Sequence, residues 1–247
     1  MRIDVAMVPK ESEKVVVPIH YNKALQGLIY AQLRKKIPTI HQSGWQSGSR
    51  VFRMFVYSRL MGRIEKMRER QIYFLAPVRF SVASPSTDLI EALAEGFLKA
   101  PVLHLAGTSL ELDKLSVSKA PDLSRGRMLC RALSPVTVYS TVMTADGKKK
   151  TYYYHPAERE FRMQVENNLR KKAQALGITD YSSRAIRLES VRTRARDQKV
   201  VFYDRTVIKG WMGNFELSGD PEMLTLALDA GIGAKNSQGF GMLKLIE

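Results

Sequence analysis

Gly231-Ile232-Gly233-Ala234-Lys235-Asn236-Ser237-Gln238-Gly239-Phe240-Gly241 is the stretch on which the reading of this 247-residue chain turns. It lies between a helix and a strand. Asp220-Pro221 starts the helix well, with Asp as N-cap and Pro in the first helical position. The helix runs to Ala230 and ends at Gly231, and residues 240–246 read as a closing strand. A dinucleotide fingerprint needs G-x-G-x-x-G after a strand and before a helix, so spacing and context both fail. No Gly-Lys-Ser/Thr follows, which excludes a P-loop. A helix C-cap and a tight turn would account for one or two of the glycines. Two Gly-x-Gly pairs around a polar tip suggest instead that backbone N–H groups approach a phosphate closely. On that reading, Gly233→Val or Gly239→Val weakens ligand binding with the fold intact.

Working outward, the chain reads as two similar units. Ile3, Val5 and Met7 alternate with polar or small neighbours, a half-buried strand. Residues 21–37 carry Leu25, Leu28, Ile29, Leu33 and Ile37 at helical spacing. Residues 51–57 and 72–82 are β-branched and aromatic and predict strands. Residues 86–99 form a second amphipathic helix, and 102–117 is β-like, broken at Gly107. In the second half, 133–142 reads as a strand and 149–154 as another or as its hairpin partner. Residues 158–176 form a helix on Phe161, Val165, Leu169 and Ala173, and 186–194 and 199–208 read as strands before the last helix and strand. Two β-α-β-β-α-β orders in series predict an α+β protein of two tandem ferredoxin-like (RRM-like) domains, residues 1–119 and 126–247. The segment between them, around Ala120-Pro121-Asp122, has linker composition.

Composition narrows the partners. The chain has 39 Lys and Arg against 24 Asp and Glu, a net charge of +15. Residues 1–119 hold 18 basic and 10 acidic side chains and the remainder 21 and 14, so the excess is not a tail. Such a globule suits a polyanion tracked over a long surface, nucleic acid foremost, or else an acidic protein. No apolar run nears the ~20 residues of a membrane span, and the first residues, Met1-Arg2-Ile3-Asp4, lack a signal-peptide stretch, so a cytoplasmic protein is expected. The single cysteine, Cys130, excludes an internal disulfide and a cysteine-rich zinc site, and its apolar neighbours predict a buried packing role.

The Gly231-Ile232-Gly233 … Gly239-Phe240-Gly241-Met242 pattern resembles the C-terminal glycine-rich motif of the CRISPR-associated RAMP superfamily. More closely, the chain resembles that superfamily's repeat-RNA processing endoribonucleases. Leu25-Gln26-Gly27-Leu28-Ile29-Tyr30 is similar to their first helix and Phe52 to Leu60 to the strand after it. Ala132 to Val138 and His155 to Phe161 are similar to the opening strand and third helix start of the second domain. The resemblance covers nearly the whole chain. It implies metal-independent cutting of CRISPR precursor transcripts within the repeat, by attack of a ribose 2′-OH, leaving 2′,3′-cyclic phosphate and 5′-OH ends. It implies no cofactor. The expected partner is repeat RNA, with other CRISPR effector subunits or a second copy of the chain as further partners and no membrane.

That reaction needs a base for the 2′-OH, an acid for the departing 5′-oxygen and a cation for the phosphorane. In the resemblance, His41 falls at the catalytic histidine and Tyr30 at the catalytic tyrosine. Tyr30 sits at the border of the first helix's apolar stripe, where an ordinary tyrosine keeps its hydroxyl in water. His41 follows that helix in the polar loop 42–50. Family members commonly carry a lysine shortly after the histidine, but this chain has none between Lys36 and Lys66, and Arg50 is the nearest match. Arginine can stabilise a phosphorane but cannot act as a base. RNA contacts are expected from the glycine loop (Gly231, Gly233, Lys235, Asn236, Ser237, Gly239, Gly241) and from Arg53, Arg192, Arg194 and Arg196. Trp45 and Tyr203 are candidates either for base stacking or for packing. No pair of histidines has the i, i+4 zinc spacing and the carboxylates are scattered. A second reading is a non-catalytic RAMP subunit that binds RNA in an effector complex. A third, a generic tandem RRM protein, lacks that module's aromatic signature.

Overall fold

The computed structural model describes residues 1–34, 36, 44–144 and 146–246. The first half supplies β1 (Arg2–Pro9), β2 (Lys14–Pro18), α1 (Asn22–Leu33), β3 (Trp45–Ser47), β4 (Arg50–Phe52), β5 (Val56–Tyr57), β6 (Met61–Arg68), β7 (Gln71–Ala83), α2 (Thr87–Leu98), β8 (Leu103–Leu105) and β9 (Thr108–Ser118). The second half supplies β10 (Arg127–Ala132), β11 (Tyr139–Met143), β12 (Lys149–Tyr153), α3 (Arg159–Ala175), β13 (Ile186–Arg192), β14 (Gln198–Tyr203), β15 (Thr206–Trp211), β16 (Asn214–Gly219), α4 (Pro221–Ala230) and β17 (Leu243–Leu245).

Each half is ferredoxin-like. In the first sheet the order is β2-β7-β1-β9-β8, with β5 and β6 also paired to β7. β1 lies antiparallel between β7 and β9, with Ile3 opposite Val82 on one side and Val117 on the other. Alternation puts Ile3, Val5 and Met7 on the covered face, where they are fully buried against α1 and α2. Helix α2 is capped by Ser86, whose hydroxyl accepts from the Leu89 amide at 3.3 Å. In the second sheet the order is β13-β16-β10-β17, with Phe161, Val165 and Leu169 of α3 and Leu224 and Ala227 of α4 in its core. Asp220 caps α4 through its side chain to the Glu222 amide at 3.0 Å, with Pro221 in the first turn.

Several expectations change. The opening strand of the second sheet is β10, not 133–142. Met128, Cys130 and Ala132 alternate inward, and Cys130 is fully buried, its thiol pushed up to about 12 by that burial. Residues 149–153 are the hairpin partner of 139–143, the second of the two expected roles, but this hairpin lies outside the sheet. Residues 198–211 are likewise a hairpin, β14–β15, and the third sheet strand is β16. Both hairpins are richer in β-branched and aromatic residues than the strands they were mistaken for, because exposed ladders lean on local propensity while core strands lean on burial. The 51–57 strand breaks at Met54, which has a positive φ of 48° and buries its side chain in the second core. The polar loop 42–50 contains the hairpin β3–β4, whose Trp45 packs against both cores and whose Ser47 hydroxyl bonds Gln174 of α3 at 2.6 Å.

Candidate nucleic-acid cleft

The glycine-rich segment joins the two halves. Asn22, Gln26 and Tyr30 stand at i, i+4 and i+8 on α1, so they share one face. Asn22 Nδ2 donates to the Gln238 carbonyl at 3.0 Å, and Gln26 Nε2 donates to the Ser237 carbonyl. The other end of the Gln26 amide accepts from the Tyr203 hydroxyl, which fixes the β14–β15 hairpin on the same helix. Tyr203 therefore packs, and burial pushes its phenol up to about 12. Lys23 and Asp204 add an exposed ion pair at 2.7 Å.

Inside the segment a lysine and an asparagine hold the turn. Lys172 of α3 is 2% exposed, and its ammonium donates to the carbonyls of Ala230 and Gly231 at 3.1 and 2.7 Å and to Asn236 Oδ1 at 2.7 Å. These carbonyls end α4, where unsatisfied acceptors and the helix dipole favour a cation. Asn236 Nδ2 donates to the carbonyls of Ile232 and Phe240 at 3.1 and 3.0 Å. The whole Asn236 amide is thus used within the turn, so its side chain staples the loop.

All four glycines are accounted for by packing, where one or two were expected to be. Gly231, Gly233, Gly239 and Gly241 have φ of 73°, 68°, 86° and 81° and are buried. A Cβ on Gly241 would stand 2.0 Å from the Ile232 carbonyl oxygen, and one on Gly239 would stand 2.6 Å from the Tyr57 ring. What the segment offers outward is its partly exposed tip, Lys235 and Ser237. The Lys235 ammonium lies 5.2 Å from the Tyr139 ring centre, and partial burial lowers its pKa.

This tip forms one wall of a cleft of about 370 Å³ between the halves. β4 and the residues after it, including Arg50 and Arg53, form a second wall. A third comes from α3, with Gln164, Asn168 and Lys171. Arg50 is exposed at the start of β4. Arg53, half-buried, hydrogen-bonds Tyr30, whose hydroxyl is not at the water-facing edge as expected: the residue is 6% exposed and meets the Phe55 ring edge-on at 5.6 Å. Burial raises the Tyr30 phenol above its ordinary value against the opposing pull of Arg53, so it stays protonated at neutral pH. His41 lies outside the described residues, as do Lys35 and Ile37. Gly44 is the next described residue after His41, and a Cβ there would stand 2.6 Å from the Phe52 carbonyl oxygen and 2.7 Å from the Arg53 guanidinium.

The predicted RNA-contacting residues divide between two surfaces. Lys235, Ser237, Arg50 and Arg53 line the first cleft, while Arg192, Arg194 and Arg196 line another with Arg131 and Asn214. Arg131 was missed, though it alternates outward on β10. The other histidines stand apart: His20 packs on the Phe202 ring at 4.8 Å, His155 on Trp211 at 4.4 Å, and His104 is exposed on β8. Among the described residues no helix is long and apolar enough to cross a membrane.

Comparison with known proteins places this architecture. The family profile "CRISPR-associated protein Cas6, N-terminal" matches residues 16–116, and "CRISPR associated protein Cas6, C-terminal" matches residues 118–245. A Pyrococcus furiosus protein named CRISPR-associated endoribonuclease Cas6 is 27% identical over 251 residues, covering 99% of this chain and 90% of its own length. A solved structure of a CRISPR associated protein Cas6 superposes with a TM-score of 0.82 at 22% identity, covering 100% of this chain and 99% of the other. Another, of a RAMP protein binding different RNA substrates, gives 0.80 at 22% identity with both chains fully covered. At this identity the superpositions establish the shared fold, and the two profile matches together establish that the chain belongs to the Cas6 family of CRISPR-associated proteins.

Proposed function

We propose that this protein is an endoribonuclease that cuts CRISPR precursor transcripts within the repeat, without a metal ion, by attack of a ribose 2′-OH on the adjacent phosphate. The observation that carries the reading is the cleft in which Arg50 and Arg53 of the first half, Arg53 bonded to the buried Tyr30, meet Lys235 and Ser237 of the second. Support for the activity comes from the relative named as an endoribonuclease.

In this reading the repeat RNA crosses the cleft with its scissile phosphate near Arg53. Arg50, Arg53 and Lys235 supply positive charge to the phosphorane as it gains negative charge. Tyr30, kept protonated by burial, donates a hydrogen bond and does not act as the base. His41 takes or gives the proton, since its ordinary pKa of about 6.5 allows either role near neutral pH. The proton leaves the 2′-OH for His41 or for water, the 2′-oxygen bonds to phosphorus, and the bond from phosphorus to the 5′-oxygen breaks as that oxygen takes a proton from whichever of water and His41 did not act as the base. The products are a 2′,3′-cyclic phosphate and a 5′-OH. The Arg131, Arg192, Arg194 and Arg196 cleft holds flanking phosphates. The units 1–119 and 126–247 act together, each contributing one side of the reaction cleft.

The test is incubation of the purified protein with repeat RNA in EDTA, followed by end-group analysis. Cyclic phosphate ends are expected, and 2′-deoxyribose at the cut position should abolish cutting while binding persists. Normal cleavage of the deoxy substrate would exclude this mechanism. The second reading, a subunit that binds RNA without cutting it, is favoured by one observation, the lack of any lysine between Lys36 and Lys66. Tight binding with no cleavage at any pH from roughly 6 to 9, the range around a histidine's titration, would select it.

A further inference from the structure

Two residues that line this cleft each carry a buried amide oxygen without a hydrogen-bond donor. One is Asn168 Oδ1 on α3 and the other is Gln238 Oε1 in the glycine-rich turn. They come from different elements, and in the same turn the Asn236 amide is saturated by Lys172, Ile232 and Phe240. A buried acceptor with no donor has given up its hydration for nothing, and folded proteins keep few. Two on the walls of one cleft amount to a preformed demand for donors.

The chemistry of RNA limits what can meet that demand. Phosphate oxygens only accept, and they suit the cations Arg50, Arg53, Lys171 and Lys235 on the same walls. Bases differ: adenine, cytosine and guanine carry an exocyclic amino group with two N–H donors, and uracil carries two carbonyl oxygens there and a single ring N–H. Carbonyl oxygens set against amide oxygens repel. The volume, about 370 Å³, is at the small end of the range for small-molecule sites and is in the size class of one nucleotide.

We propose that this cleft takes one unpaired nucleotide of the RNA, with its phosphate on the cations and its base read through the exocyclic amino group by Asn168 and Gln238. The pair is a specificity determinant that selects adenine, cytosine or guanine and rejects uracil at one position of the substrate. The proposal rests on the RNA-cleaving reading above and adds to it the chemical class of the base.

The experiment is a single-turnover cleavage and binding panel on repeat RNA in which each position in turn is changed to uridine, or its base replaced by the analogue lacking the amino group. Wild-type protein should show one position at which loss of the amino group costs about 10–100-fold, the discrimination of a good base contact. Asn168→Leu and Gln238→Leu should erase that preference there, leaving other positions unchanged and the melting temperature no lower than that of wild type. Asn168→Asp keeps an acceptor and should retain it. Indifference of the wild type at every position overturns the proposal, as does an unaltered profile in both leucine variants. If the wild type cuts RNA with such an unaltered profile, only this inference fails. If it neither binds nor cuts any repeat RNA, the underlying function fails and this inference with it.

Discussion

Lys172→Met is the most informative single change for the scaffold of the cleft. The lysine donates to three buried acceptors, the carbonyls of Ala230 and Gly231 and Asn236 Oδ1. Three N–H groups meet three oxygens, a fit to the charged form, while burial opposes that charge and brings the ammonium down from 10.5 to about 7. The folded value lies below the unfolded one. Between about pH 7 and 10.5 the unfolded chain holds a proton that the folded protein sheds, so this group makes stability rise with pH. Below about pH 7 both states are protonated and the full cost of burying charge is felt. Over the whole window that cost is roughly 5 kcal/mol at about 1.36 kcal/mol per pH unit, and between pH 7 and 9 about 2 kcal/mol of it is relieved. Methionine has similar length but no donor and no charge. At pH 9 the folded lysine is a neutral amine with two N–H donors, so the variant loses two bonds and should be less stable than wild type by ~2 kcal/mol or more. At pH 7 the gap should shrink by about 2 kcal/mol, because wild type then bears the cost of its charge. Urea unfolding of both proteins at pH 7 and 9 measures the two gaps. Equal gaps would refute the reasoning, since every other titrating group is common to the two proteins.

Three further outcomes are expected. Gly241→Ala should destabilise the fold by ~2 kcal/mol or more, because its Cβ would meet the Ile232 carbonyl oxygen at 2.0 Å in a left-handed backbone. An unchanged melting temperature with RNA affinity alone reduced would restore the phosphate-approach reading of the glycines. His41→Ala should slow single-turnover cleavage by ~10²–10⁴-fold, and Tyr30→Phe by about 10–100-fold, the value of one hydrogen bond to a charged group; rates equal to wild type would remove either residue from the mechanism. RNA affinity should fall with salt with a log–log slope of about −3.5 if roughly 5 phosphates of a single strand are neutralised, whereas a flat titration would assign the +15 charge to another purpose.

The sheet interiors were legible because burial imposes a period. Ile3, Val5 and Met7 announce β1, and Asp220-Pro221 announces α4. β10 was obscured because its six residues include two arginines beside a linker, and β16 because Phe215 is its only aromatic or β-branched residue and it ends in glycine. The cleft was half legible. Lys235, Ser237, Arg50 and Arg53 could be named from motif and neighbourhood. Lys172 could not, because lysines on amphipathic helices ordinarily snorkel to water. Its position, seven residues after Val165 and three after Leu169 on the buried stripe of α3, was the available sign. Tyr30 was misplaced because a single helix shows one apolar face and does not reveal what covers the other. Here Phe55 and Arg53 cover it, both beyond the segment that lies outside the described residues.

The stapling of the glycine-rich tip onto α1 also makes the cleft a property of docking, one that neither half owns alone. Asn22 and Gln26 hold the backbone of Gln238 and Ser237, and the side chains flanking that backbone line the cleft. A molecule that bridges Arg53 on one half and Lys235 on the other therefore binds only the joined arrangement. By linkage it stabilises the seam by RT ln(1 + [L]/Kd), about 2.7 kcal/mol at a hundredfold excess over Kd. Occupancy and cohesion of the two halves are then one equilibrium viewed from two sides, and a substitution that loosens the seam weakens the ligand's hold without touching it.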